Sequence, residues 1–303
     1  MLCRQHMAST MRHGKCSALP LCMEGRSRDK GVLMGASAID KLNYTDINAS
    51  TIDGWVEEGW EWGTPISHEE FMRARAGEWS MVLTPTLPVP RTWFPKDLAG
   101  CRVLGLASGG GQQMPIMAAC GAQCTVLDYS ERQLASEQAV AQREGYEIEC
   151  VRADMTRPLP FADETFDLII HPVSNCYVEQ VLPIWRECYR VLRPGGRLLA
   201  GLDNGFAYAL DDACERVVRR LPYNPLRDPE LAATVDLKED GVQFSHTFDE
   251  QIRGQLQAGF SLIDCYEDTD GEGRLHDLHI PTFWATCAVK TVKTGRGCFD
   301  SFE

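Results

Sequence analysis

From residue 102 onward, short apolar runs alternate with stretches whose apolar positions recur at helical spacing. RVLGLA (102–107), QCTVLD (123–128), 147–153, FDLIIH (166–171) and 197–202 are predicted strands. Between them, 112–119 predicts a helix with Pro115 in its first turn. Ser130-x-x-Gln133 opens a helix that Gly145 ends. Residues 178–192 predict another, with Val178, Val181, Trp185, Cys188 and Leu192 on one face. Arg193-Pro-Gly-Gly196 predicts a turn into the 197–202 strand. Apolar strands separated by amphipathic helices predict a doubly wound α/β fold, with a parallel sheet covered on both faces.

The alternation stops at 204–245, where Pro222, Asn224, Pro225 and Pro229 predict an inserted cap. It resumes with a helix capped by Thr247-x-x-Glu250 and with strands at 260–267 and 282–290. Upstream, Ser50-x-x-Asp53 predicts a helix with apolar face Ile52, Trp55, Val56 and Trp60. Ser67-x-x-Glu70 predicts a second, and Pro85, Pro88, Pro90 and Pro95 a stiff connector. The expected organisation is an extension (1–34), a helical cap segment (35–98) and a domain (99–303) carrying the 204–245 insertion over its acceptor pocket.

Composition narrows the function. The 303 residues are 44% apolar and 24% charged, as in ordinary globular proteins. A net charge of −13 disfavours nucleic acid and anionic lipid as partners, and no apolar run reaches membrane-spanning length. The 13 cysteines include no CxxC, and Cys120 and Cys124 lack a second ligand pair, so no metal is expected. The first 34 residues hold six basic and two acidic side chains without helical or strand period. They read as disordered, as spurious sequence ahead of a start at Met34, or as a targeting peptide; a cytoplasmic location is the expectation.

The sharpest chemical feature is a strand, then Ala107-Ser108-Gly109-Gly110-Gly111, then a helix. Glycines let a ligand approach the backbone closely, and sheets of this kind bind ligands at the carboxyl ends of their strands. Asp128 ends the next strand, where a carboxylate can accept hydrogen bonds from both hydroxyls of a ribose. A nicotinamide fingerprint starting at Gly109 would need a third glycine where Met114 stands.

These motifs resemble the class I S-adenosylmethionine-dependent methyltransferases, most strongly over 99–203, and the resemblance implies a Rossmann-like sheet of seven strands, mostly parallel with the last antiparallel. The family's acidic-x-G-x-G-x-G loop corresponds to 105–111, with Gly105 at the acidic position and Ala107 at the first glycine. VLDYS corresponds to the ribose-binding acid and Asp154-Met155 to the adenine pair. LASGGGQQ and HPVSN (171–175), with the Trp- and Pro-rich stretch before them, resemble one branch of the family. The resemblance implies S-adenosylmethionine as cofactor, held by Ala107, Ser108, Gly109, Gly111, Gln112, Asp128, Tyr129, Asp154, Met155 and His171. It implies methyl transfer to a small molecule, with His171, Asn175 and Tyr177 as candidate catalytic residues. The missing acid at 105 leaves open a cofactor-binding protein without catalysis, and an NAD(P)-dependent oxidoreductase remains a further alternative.

Overall fold

A computed structural model describes residues 43–291, residue 238 excepted; the reading of 1–34 lies outside the described residues. Seven strands form one sheet: β1 (Arg102–Leu106), β2 (Gln123–Asp128), β3 (Ile148–Arg152), β4 (Phe166–His171), β5 (Leu192–Asp203), β6 (Phe260–Asp268) and β7 (Phe283–Lys290). Their order is β3-β2-β1-β4-β5-β7-β6, and β7 runs antiparallel to both neighbours. β2 and β4 coincide with the expected strands. β5 starts earlier than expected, because Leu192 already pairs with Phe166 before a bulge restores register at Arg197.

Eight helices are described: α1 (Tyr44–Glu57), α2 (His68–Arg75), α3 (Gln113–Ala119), α4 (Glu131–Glu144), α5 (Leu182–Val191), α6 (Pro229–Ala232), α7 (Gly254–Ala258) and α8 (Gly273–Asp277). The capping box of Ser67 with Glu70 forms, Ser130 caps α4, and Gly145 ends it in the left-handed conformation. Several boundaries differ from expectation, and the helix expected after Thr247 opens as a π-helical turn (Asp249–Arg253) before α7. α1 begins after Asn43, places Ser50 in its middle and ends before Trp60. The helix expected from residue 178 begins only at Leu182, with Pro183 in its first turn, and Asn175–Tyr177 make a separate tight turn.

The core has two faces. Leu104, Leu106, Ile169, Leu198, Ala200 and Leu202 pack with α5, around Trp185. Val103, Leu168, Ile170, Leu199 and Cys287 face Met114 and Met117 of α3 and the 81–98 segment. The proline-rich stretch is thus no free connector: Met81, Leu83, Val89, Trp93, Phe94 and Leu98 are core residues. Its close approach is set by Gly201, where a Cβ would lie 2.1 Å from the Leu83 carbonyl oxygen.

Candidate active site

The carboxyl ends of β1, β2 and β4, with the chain after β3, open into one cleft, the place where parallel α/β sheets bind ligands. α1 borders it, with Thr45, Asn48, Ala49 and Ile52 in the lining.

The turn after β1 is packed from behind. Ala107 takes a left-handed conformation (φ 47°), a strained one for a residue with a Cβ. At Gly109 a Cβ would lie 2.5 Å from Gln133 Cβ and 2.9 Å from Asp128 Oδ2, so only glycine fits. The Gly109 amide donates to Asp128 Oδ2 (3.0 Å), and the Ser130 amide donates to Oδ1 (3.0 Å). Each carboxylate oxygen therefore keeps a lone pair, and Asp128 lines the cleft. Burial pushes its pKa up, against the pull of those amides. Beneath the loop, the fully buried Glu137 accepts from the Gly111 amide (2.8 Å), and burial raises its pKa to about 8.

The remaining predicted cofactor residues gather on the same side. Ala107, Ser108, Gly109, Gln112, Asp128, Tyr129, Asp154 and Met155 all line the cleft, whereas Gly111 sits behind it against Pro65 and Val140. Gln112 Nε2 donates to the carbonyls of Glu61 (2.9 Å) and Thr64 (3.1 Å). Asp154 Oδ1 accepts from the Thr156 amide (2.8 Å), and its Oδ2 accepts from the Thr45 hydroxyl (3.1 Å). Tyr129 donates to Asp46 (2.5 Å).

The candidate catalytic residues divide. Tyr177 lines the cleft, with its ring 6.1 Å from that of Trp55. His171 and Asn175 stand behind the wall, wholly buried. His171 Nδ1 lies 2.9 Å from the Leu106 carbonyl oxygen, and Nε2 lies 2.9 Å from Asn175 Oδ1. Asn175 continues to Gln251 (2.9 Å). Both facing atoms are acceptor oxygens, and burial lowers the ring's pKa against their pull. His171, a candidate catalytic and cofactor residue, thus bridges β1 and the turn after β4 without lining the cleft. His246, at 6% exposure, is likewise spent on the carbonyls of Asn175 and Val178.

Sequence reasoning missed the lining from α1 (Thr45, Asn48, Ile52), the 82–85 segment, Gln113 and Phe283. Of the tryptophans at 55, 60, 62, 79 and 93, Trp60 and Trp62 reach the cleft, while Trp93 packs in the core. Among the described residues no group of three or more His, Cys, Asp or Glu could hold a metal, and no helix is long and apolar enough to cross a membrane.

A glycine turn after β1, an acid closing β2 and a seven-stranded sheet ending in an antiparallel strand define the S-adenosylmethionine-dependent methyltransferase class. Comparison with known proteins agrees. A methyltransferase-domain family model matches residues 104–200. The uncharacterized methyltransferase YbaJ of Bacillus subtilis (strain 168) is 40% identical over 253 residues, covering 80% of this chain and 97% of YbaJ. Demethylmenaquinone methyltransferase of Mycobacterium tuberculosis (strain ATCC 25618 / H37Rv) is 30% identical over 191 residues, covering 60% of this chain and 76% of that protein. An S-adenosylmethionine-dependent methyltransferase crystal structure from Mesorhizobium loti superposes with TM-score 0.51 at 22% identity, over 66% of this chain and 94% of that one. The chain belongs to the S-adenosylmethionine-dependent methyltransferase family, and S-adenosylmethionine is its cofactor.

Proposed function

We propose that this methyltransferase acts on a small, uncharged, largely apolar acceptor. One observation carries the reading: the cleft is divided in polarity. Its only ionisable acids among the described residues, Asp128 and Asp154, stand at the ends of β2 and β3. The other half is walled by Val82, Leu83, Pro85, Pro172, Val173 and Phe283, with Thr84 and Ser174 beside them and no charged side chain. A charged acceptor would lose its hydration there without a counter-charge.

The cofactor supplies an activated methyl group on a sulfonium. The chain's part is to bind, align and exclude water. Asp128 offers its free lone pairs to the ribose hydroxyls, and Asp154 with Met155 borders the adenine. The Ala107–Gly109 turn admits the cofactor backbone closely. Tyr177 and Phe283 hold the acceptor ring or chain against the methyl. His171 and Asn175 act as positioning residues that fix the turn bearing Tyr177. α1 closes the cleft to water. Mycobacterial relatives are named for demethylmenaquinone, and an uncharged ring would need no counter-charge in the apolar half.

Calorimetric titration with S-adenosylmethionine, S-adenosylhomocysteine and NADH tests the cofactor half. The expected result is saturable binding of the two adenosyl ligands alone. A screen with methyl-labelled S-adenosylmethionine then tests the acceptor half, using uncharged rings including demethylmenaquinone, charged amines and oligonucleotides. Transfer confined to charged or polymeric acceptors would overturn the reading, and cofactor binding without transfer to any of them would favour a binding protein lacking catalysis.

A further inference from the structure

We propose that the methionine end of S-adenosylmethionine is held here by neutral groups, with the side-chain amide oxygen of Gln113 accepting from its ammonium. This rests on the placement of the cofactor in the cleft described above.

Three observations carry it. First, the position where the resembling loop has an acid is Gly105, and its space is taken. A Cβ at 105 would lie 3.0 Å from both Cγ and Sδ of Met114, which is itself fully buried in the core beneath the loop. A side chain at 105 would press on that thioether, which would have to give by a few tenths of an ångström. Second, the two acids that line the cleft are assigned, in the function proposed above, to the ribose and the adenine. Asp128 is held by Gly109 and Ser130, and Asp154 by Thr156 and Thr45. Third, Ser108 and Gln113 line the cleft where the chain passes from the loop into α3, and both are nearly wholly buried. Ser108 Oγ donates to Gln113 Oε1 (3.0 Å), while Gln113 Nε2 faces the Val82 carbonyl at 3.4 Å. These contacts fix the sense of the amide: its NH2 turns to the 82–85 segment, and its oxygen turns to the loop. A carbonyl oxygen has two lone pairs, and Ser108 uses one. The second is the acceptor offered to the ammonium.

A neutral acceptor binds an ammonium less strongly than a carboxylate does, so the amino group should contribute only modestly to affinity. Calorimetry on the full chain reads this directly, comparing S-adenosylhomocysteine with 5′-S-(3-carboxypropyl)-5′-thioadenosine, which lacks the amino group. The wild type should prefer S-adenosylhomocysteine by about tenfold. Gln113→Leu should bring that preference close to one, leaving the affinity for the deaminated nucleoside within about twofold, which also reports that the variant is folded. Gln113→Glu, nearly the same shape, should raise the preference above that of the wild type, and it decides the matter if the leucine variant fails to fold. A preference unchanged in Gln113→Leu, or not raised in Gln113→Glu, would overturn the assignment, as would equal wild-type binding of both nucleosides. Binding of neither would instead remove the cofactor placement itself.

Discussion

At the scale of single residues, Asp128 and Gly109 form one unit, since the amide of the second donates to the carboxylate of the first. Asp128→Ala removes the ribose acceptor and orphans two backbone amides. We expect cofactor affinity to fall by about 1–3 kcal/mol in a folded protein, as for hydrogen bonds to charged groups. Calorimetry checks this, and unchanged affinity would cancel the ribose assignment. Gly109→Ala should act on stability as well, because its Cβ would press on Gln133 and Asp128. Overpacking of that kind costs about 1–3 kcal/mol, readable by urea unfolding. Asp128 was legible in the sequence because its position at a strand end and its distance from the loop are both chain-local. Gln113 was not, because its meaning depends on Met114 filling the space beside Gly105 and on Val82 arriving from a distant segment. His171 was legible as a strand-end residue, but its direction was not: only the packing shows both nitrogens turned away from the cleft.

At the scale of elements, α1 joins the halves of the site. Asn48 donates to the carbonyls of Tyr177 and Val242 (both 2.9 Å) and accepts from the Val242 amide (2.7 Å). Thr51 reaches the Leu237 carbonyl (2.8 Å), and Asp53 accepts from Ser130 (2.5 Å) and the Arg132 amide (2.9 Å). The helix thus ties the 204–245 insertion to the turn after β4 and to the start of α4. Asn48→Ala should lose about 1–3 kcal/mol of stability by leaving Val242 and Tyr177 groups unpaired. Amide exchange should then quicken in α1 and around Val242 before it does in the sheet, whereas uniform loss of protection would contradict this. The misplaced start of α1 has the same origin. Its buried face carries Thr45, Asn48, Ala49 and Thr51, so hydrophobic periodicity does not show it, and Asn43-x-x-Asp46 competes with Ser50-x-x-Asp53 as a starting pattern. The strands were legible because their interiors are apolar throughout and bounded by turns.

At the scale of the whole molecule, buried carboxyls set a pH dependence. Burial raises the pKa of Glu137 to about 8 and that of Asp203 to about 7. Such groups hold protons in the fold that the unfolded chain has already released. Their stabilisation is complete below the unfolded pKa and is lost as pH rises through the folded one. Glu137→Gln keeps the acceptor for Gly111 without the titration. Its stability relative to wild type should therefore rise between pH 5 and pH 9, by at most about 1.4 kcal/mol per pH unit. Urea unfolding at several pH values checks this, and a constant difference would contradict it. The confinement of acids to one half of the cleft has a further consequence for turnover. S-adenosylmethionine enters with one net positive charge, and S-adenosylhomocysteine leaves with none, while the chain stays at −13. The reaction thus discharges its own cofactor inside an electronegative body. The attraction that draws the spent form in is weaker than the one that draws in the fresh form, so exchange is biased forward. Added salt should erode that bias, bringing the two affinities closer together.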